Sequence, residues 1–373
     1  MSTKQSISST ASPGQLAWRR FRSNPLAMAG IGYVGLCLLV AILGPVIAPD
    51  SSPYANIQVL ELAKKPPGAQ AQLLLIPLQA AEEPSMFSRL ISGTPFPYRP
   101  VPLVVGSGLS QQDSLLVFTP FPSGELEKMN LSDFGPNASV SSIQEANLLD
   151  RTFWLGTDAY GRDVLSRLLL GSRVSLAIGI LAVLLSLAIG VSLGLMAGFF
   201  SGWVDRFIMW LVSVVWAIPT LLLALAICFV LEKGFWQLFV AIGLSLWVET
   251  ARIVRGQVAS LREQGFAEAA RALGYRSSRI MWRHILPNVI SPIIVVAVAN
   301  FGTAVLIESG LSFLGIGVEP PIPSWGRMIY EGYTYIMFES GQWLAFFPGA
   351  ALIFLVISIN LTGIGLRDAL DVK

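Results

Sequence analysis

The chain has 373 residues but only one histidine, His284, two cysteines, Cys37 and Cys228, and six lysines. A single imidazole excludes any metal or catalytic site that needs two. Both cysteines sit inside apolar blocks, so neither a disulfide framework nor a redox compartment follows from them. None of the lysines, at 4, 64, 65, 128, 233 and 373, comes after a glycine. A P-loop grips phosphates through Gly-Lys-Ser/Thr, so ATP hydrolysis by that route is excluded. One histidine also leaves no recognisable pairing of nucleophile and base. No catalytic residue, bound cofactor or metal site is expected.

Charge is scarce too, at 13% of residues against 53% hydrophobic, which excludes an ordinary soluble domain. What charge there is lies unevenly. Ten acidic residues face five basic ones between Asp50 and Asp150, and the remainder of the chain is basic. Two compartments are implied, and no nucleic-acid partner.

Long hydrophobic runs are abundant instead. A helix that crosses a bilayer needs about 20 apolar residues, because its backbone must satisfy itself. Asn24 to Ala48, Val174 to Gly198, Phe207 to Leu231, Val289 to Ile307 and Trp343 to Leu366 contain no charged residue. Gly234 to Val248 is a shorter sixth. The first run is too long for the apolar part of a signal peptide and reads as an uncleaved helix. Six crossings place both termini in the cytoplasm, where the basic residues then collect. They are Lys4, Arg19, Arg20, Arg22, Arg206, seven arginines between 252 and 283, Arg367 and Lys373. The short outer segments hold Lys233 and Arg327, while Arg162, Arg167 and Arg173 near the second crossing count against the assignment.

The expected organisation is a cytoplasmic segment 1–23, a first transmembrane helix 24–48, an external loop 49–153, an external amphipathic segment 154–173, a core of five crossings at 174–366, and a cytoplasmic tail 367–373. Twelve of the 23 prolines fall between Asp50 and Asp150. That density predicts an irregular or small β-containing cap, with apolar runs at 72–77 and 114–118. From Val164 an amphipathic helix is expected along the outer membrane face. Gly190, Gly194 and Gly198 form a ridge for a close helix contact. Pro219 and Pro292 interrupt the third and fifth crossings.

The segment 251–283 is too polar to cross and too long for a tight turn. Phe266, Ala269, Ala270 and Leu273 recur at helical spacing, and Gly274 suits a left-handed helix stop. An interfacial helix among lipid headgroups is one reading. The row of alanines supports another, a flat surface that fits a partner's groove.

Glu268, Ala269 and Ala270, then Gly274, then Leu286 and Pro287 resemble the Glu-Ala-Ala loop of inner-membrane permeases in binding-protein-dependent ABC importers. Arg283 to Asn288 is similar to the variant in dipeptide and oligopeptide permeases, C-type subunits. So are Gly156, Thr157, Asp158 with Gly161 to Arg167, Pro323 to Gly326, and Asn360, Gly363 with Leu366 to Asp371. The resemblance covers about 16–44 and 154 onward, and leaves the Pro-rich segment unexplained. It implies an all-α polytopic protein of the type I importer fold, with six transmembrane helices, a cytoplasmic coupling helix and an enlarged outer loop. It further implies a bacterial inner-membrane location, a second homologous permease, two cytoplasmic ATPases that use ATP and magnesium, and an extracytoplasmic solute-binding protein. Glu268, Ala269, Ala270, Gly274, Leu286 and Pro287 would then couple to the ATPases. Peptides, nickel and glutathione are all solutes of such systems. An ion-coupled secondary transporter would instead place ionisable residues at mid-membrane or show inverted repeats. No repeat is found, and Glu249 and Glu308 sit at span edges.

Overall fold

The computed structural model describes residues 13–78, 85, 88–90, 93–136, 138–338 and 341–370. The expected cytoplasmic tips, with Lys4, Asp371 and Lys373, lie outside the described residues. Two compact units form, one from 1–37, 175–318 and 352–373, the other from 38–174 and 319–351.

The described residues begin with two helices, α1 (Pro13–Arg22) and α2 (Pro25–Ile47). The Pro-rich segment then folds as two antiparallel three-stranded sheets. The first has the order β2 (Tyr98–Leu103), β1 (Ala69–Pro77), β6 (Leu148–Phe153), and the second is β3 (Ser110–Gln112), β4 (Leu115–Phe118), β5 (Glu127–Asn130). Pro100 and Pro102 sit in β2, an edge strand, where a missing N–H costs no interior ladder bond. Leu74, Ile76, Leu103, Leu116, Phe118 and Ile143 form the core of this β-unit. Ile143 comes from α3 (Val140–Ala146). Its cap is reciprocal, since Ser142 N–H donates to the Ser139 hydroxyl at 3.2 Å and Ser139 N–H to the Ser142 hydroxyl at 2.9 Å. Ser139→Ala is expected to cost about 1 kcal/mol, read as faster amide exchange confined to α3.

The remaining helices are α4 (Val164–Phe200), α5 (Gly202–Trp216), α6 (Thr220–Val230), α7 (Phe235–Arg262), α8 (Gly265–Ala272), α9 (Ser277–Phe313, with a π-turn at Ile280–Ile285), α10 (Trp325–Tyr333) and α11 (Trp343–Leu370). The chain is mostly helical. Among the described residues five helices are long and apolar enough to cross a membrane, and α5 with α6 makes a sixth only if the pair, bent by 91°, is one broken span.

Four sequence expectations are corrected. The protein is not all-α, because the Pro-rich segment pairs into two three-stranded sheets. The helix at Val164 is not a separate element along the outer face, because it runs unbroken for 37 residues into the second crossing. The third crossing is not one helix, because the chain turns at Ala217 to Pro219, where proline removes a donor. The polar segment from Ala251 is not loop at its start. α7 continues to Arg262 because Ala251, Val254 and Val258 keep packing after the chain has become polar.

That packing uses the glycine ridge. A Cβ at Gly190 would lie 2.6 Å from the Thr250 Cβ, at Gly194 2.7 Å from the Ala251 carbonyl, and at Gly198 2.7 Å from the Val258 Cβ. The ridge also spells Gly190-Val191-Ser192-Leu193-Gly194, the string of a hydrolase nucleophile elbow. Here it is uninterrupted helix, and the Ser192 hydroxyl donates to the Ala188 carbonyl at 2.7 Å. Within the same unit α11 meets α2 closely, since a Cβ at Gly30 would lie 2.6 Å from the Ser358 carbonyl.

Candidate functional site

The six singled-out residues cluster around α8, on two faces. Ala267 and Ala270 are buried, Ala270 among Leu195, Val254, Val258, Ile280, Ile285 and Val289. Phe266, Glu268, Ala269 and Leu273 are exposed, Leu273 by 71%. The apolar stripe seen in the sequence is therefore split. Ala270 seats the helix against its own subunit, whereas Phe266, Ala269 and Leu273 remain without cover in the subunit.

The end of α8 is a left-handed stop. Gly274 has φ +76°, and Tyr275 N–H donates to the Ala270 carbonyl at 3.2 Å, the closing bond of a Schellman motif. Beyond it Tyr275 stacks on His284 at 5.7 Å, and Arg279 lies over Tyr275 at 4.5 Å. Leu286 and Pro287 open the regular part of α9 directly after the π-turn, where a proline at the first positions costs no helical bond. Leu286 is half-buried and Pro287 exposed.

Arginines hold α8 to its neighbours. Arg271 donates to the Arg262 carbonyl at 2.5 Å, and Arg262 to the Phe199 carbonyl at 3.1 Å. A cleft of about 430 Å³ beside them is lined by Arg262, Glu263, Glu268, Arg271 and Tyr275 among others. Among the described residues Glu268 makes no side-chain hydrogen bond or ion pair, and Gln264 occupies the N-cap of α8. The carboxylate is thus not used to cap its own helix.

A second constellation joins two motifs on which the resemblance rests. Gly161, at φ +72°, lies against Val59 so closely that a Cβ would clash with its carbonyl. That turn carries Asp158 and Arg162 into an ion pair of 2.6 Å. Arg162 also reaches Glu331 of α10 at 2.8 Å, with Arg167 at 3.5 Å and Arg327 at 3.0 Å from the same carboxylate. Trp325 donates to the Leu168 carbonyl at 2.9 Å. Asp163 does not pair with Asp158. It accepts from the Ser166 N–H at 3.0 Å and from the Ser166 hydroxyl, as an N-cap of α4. Burial pushes its carboxyl up, opposed by those Ser166 bonds. Glu331 was missed in the sequence, where its only signal was the i,i+4 spacing from Arg327.

Glu308, expected at a span edge, lies inside α9 and is fully buried. The Ser175 hydroxyl donates to it at 3.0 Å and that of Ser312 at 2.8 Å. No group of three or more His, Cys, Asp or Glu suited to a metal occurs among the described residues.

Residues 190–373 match the family of binding-protein-dependent transport system inner membrane components, and residues 12–67 match the N-terminal transmembrane domain of oligopeptide transport permease C. A dipeptide transport system permease protein of Alkalihalophilus pseudofirmus is 40% identical over 246 residues, 64% of this chain and 80% of the relative. An oligopeptide transport system permease protein of Bacillus subtilis is 37% identical over the same shares. A glutathione transport system permease protein of Pectobacterium atrosepticum is 41% identical over 59% of this chain and 72% of its own. Among solved structures, an inward-facing MetNI methionine ABC transporter aligns at 19% identity and TM-score 0.45, over 55% of this chain and 96% of that one. With relatives of this identity matched over most of their length, the chain belongs to the inner-membrane permease components of binding-protein-dependent ABC importers.

Proposed function

We propose that this permease imports dipeptides or oligopeptides and forms half of a translocation pathway with a second homologous permease. Both termini are cytoplasmic, and an extracytoplasmic solute-binding protein delivers the solute. Two cytoplasmic ATPases hydrolyse ATP with magnesium and drive the cycle through α8, with Glu268, Ala269, Gly274, Leu286 and Pro287 at the contact and Ala270 seating the helix beneath. The carrying observation is the division of α8 into a buried alanine face and an exposed face of Phe266, Ala269 and Leu273 beside an unpaired Glu268 carboxylate. A helix fixed on one side and open on the other transmits a push without slack to the long α7 and α9 that flank it. Glutathione, a modified tripeptide, is the second reading, favoured by relatives at 41% identity.

The test is co-purification of the four-subunit assembly with ATP-dependent uptake into proteoliposomes. Glu268→Arg reverses a charge at an exposed position, and Gly274→Trp adds bulk where a Cβ meets nothing within 4 Å but the left-handed backbone resists a side chain. Both variants are expected to lose the ATPases and the uptake. Retention of both by Glu268→Arg, in a protein of unchanged melting temperature, would overturn the coupling assignment.

A further inference from the structure

Only Ser23 and Asn24 separate α1 from α2, the first crossing. The link is tight. Asn24 N–H donates to the Phe21 carbonyl at 3.1 Å, and the Asn24 side chain accepts from the Leu26 and Ala27 N–H groups at 3.1 and 3.2 Å. Phe21 is buried against Ala27, near the start of α2, and Ala369, near the end of α11. The last turn of α1 is therefore held level with the ends of two membrane spans. Hydrocarbon gives way to headgroups within a few ångströms of that level, on whichever side of the bilayer it lies.

The face that docks on the spans is only part of the helix. Leu16, Trp18, Arg19, Arg20 and Arg22 are exposed, and Trp18 stacks on Phe21 at 5.9 Å while 55% of it remains uncovered. Among the described residues no side chain pairs with these three arginines, and Asp368 at the end of α11 is held by Arg367 at 3.7 Å. A protein over this face would have to bring carboxylates for three guanidinium groups and a slot for an indole. The bilayer holds both chemistries at that depth already. A guanidinium fork fits phosphate oxygens, and tryptophan collects where an apolar body and a wet N–H are wanted together.

We propose that α1 is a binding site for anionic phospholipid headgroups, with Arg19, Arg20 and Arg22 on the phosphates and Leu16 and Trp18 in the acyl boundary. It fixes the entry of α2 to one leaflet, whatever solute the protein carries. Hydrogen exchange of the full chain in nanodiscs tests this. Amides of 16–22 should exchange at least about fivefold more slowly in phosphatidylcholine containing about a third phosphatidylglycerol than in phosphatidylcholine alone, the worth of one arginine at an anionic surface. Salt at about 1 M should erase the difference in the unaltered protein, because the screening length falls to about 3 Å. The triple change Arg19→Gln, Arg20→Gln, Arg22→Gln should erase it too, with exchange in α3 unchanged. Equal rates in the two lipids would overturn the site. So would protection that arises only when the ATPases are added, which would make this face a protein contact. A triple variant that still responds to phosphatidylglycerol, with α3 exchanging as before, would remove the arginines from the site.

Discussion

Glu331→Ala is expected to lower the stability of the protein by about 3–5 kcal/mol, the usual result when one partner leaves a buried ion pair. The side chains of Arg162 and Arg167 are only 2% exposed, and both direct a guanidinium at the Glu331 carboxylate. Without it, Asp158 is the one carboxylate among the described residues still paired with the two buried cations. Thermal unfolding of the purified protein measures the loss. Paired with Arg162→Met in a double-mutant cycle, it should return a coupling of about 1–3 kcal/mol. Independent effects at the two positions would show that the network is incidental to stability. Since the carboxylate joins the turn at 158–167 to α10, local exchange should rise at both places together.

Gly194→Leu should leave almost no folded protein. Overpacking a dense interior costs about 1–3 kcal/mol when side chains are able to yield. At Gly194 the first obstacle is the Ala251 main-chain carbonyl, 2.7 Å from a Cβ, with the Val254 Cβ at the same distance. Backbone cannot rotate away, so α4 and α7 must separate. Gly32→Leu is the matched control, because a Cβ there meets nothing within 4 Å. Size-exclusion profiles of the two variants in detergent should differ sharply, and a normal profile for Gly194→Leu would refute the ridge contact.

The glycine ridge was legible because a four-residue period has one physical use on an apolar helix. The stop at Gly274 was legible for a similar reason, since a left-handed end after an alanine row favours glycine. The inner and outer faces of α8 were not. Phe266 and Leu273 look like core residues beside alanine, and which side is covered depends on Val254, Val258 and Ile285, distant in sequence. The end of α7 was misjudged because polarity marks where water begins and not where a helix stops. The turn at Pro219 was foreseen as an interruption, but no local signal sets its angle. Glu331 was invisible because its partners Arg162 and Arg167 lie in another part of the chain.

The β-unit enters and leaves at one point. Ala69 is paired with Phe153, and Gly68 N–H donates to the Phe153 carbonyl at 2.9 Å. Opposed residues on antiparallel strands lie about 5 Å apart, close enough for a short linker to bridge. The strands at this neck are also tied to what flanks them, since Ala71 and Leu73 share a core with Val59, Leu62 and Phe153, so a linker that replaced the β-unit would have to cover the apolar surface it leaves.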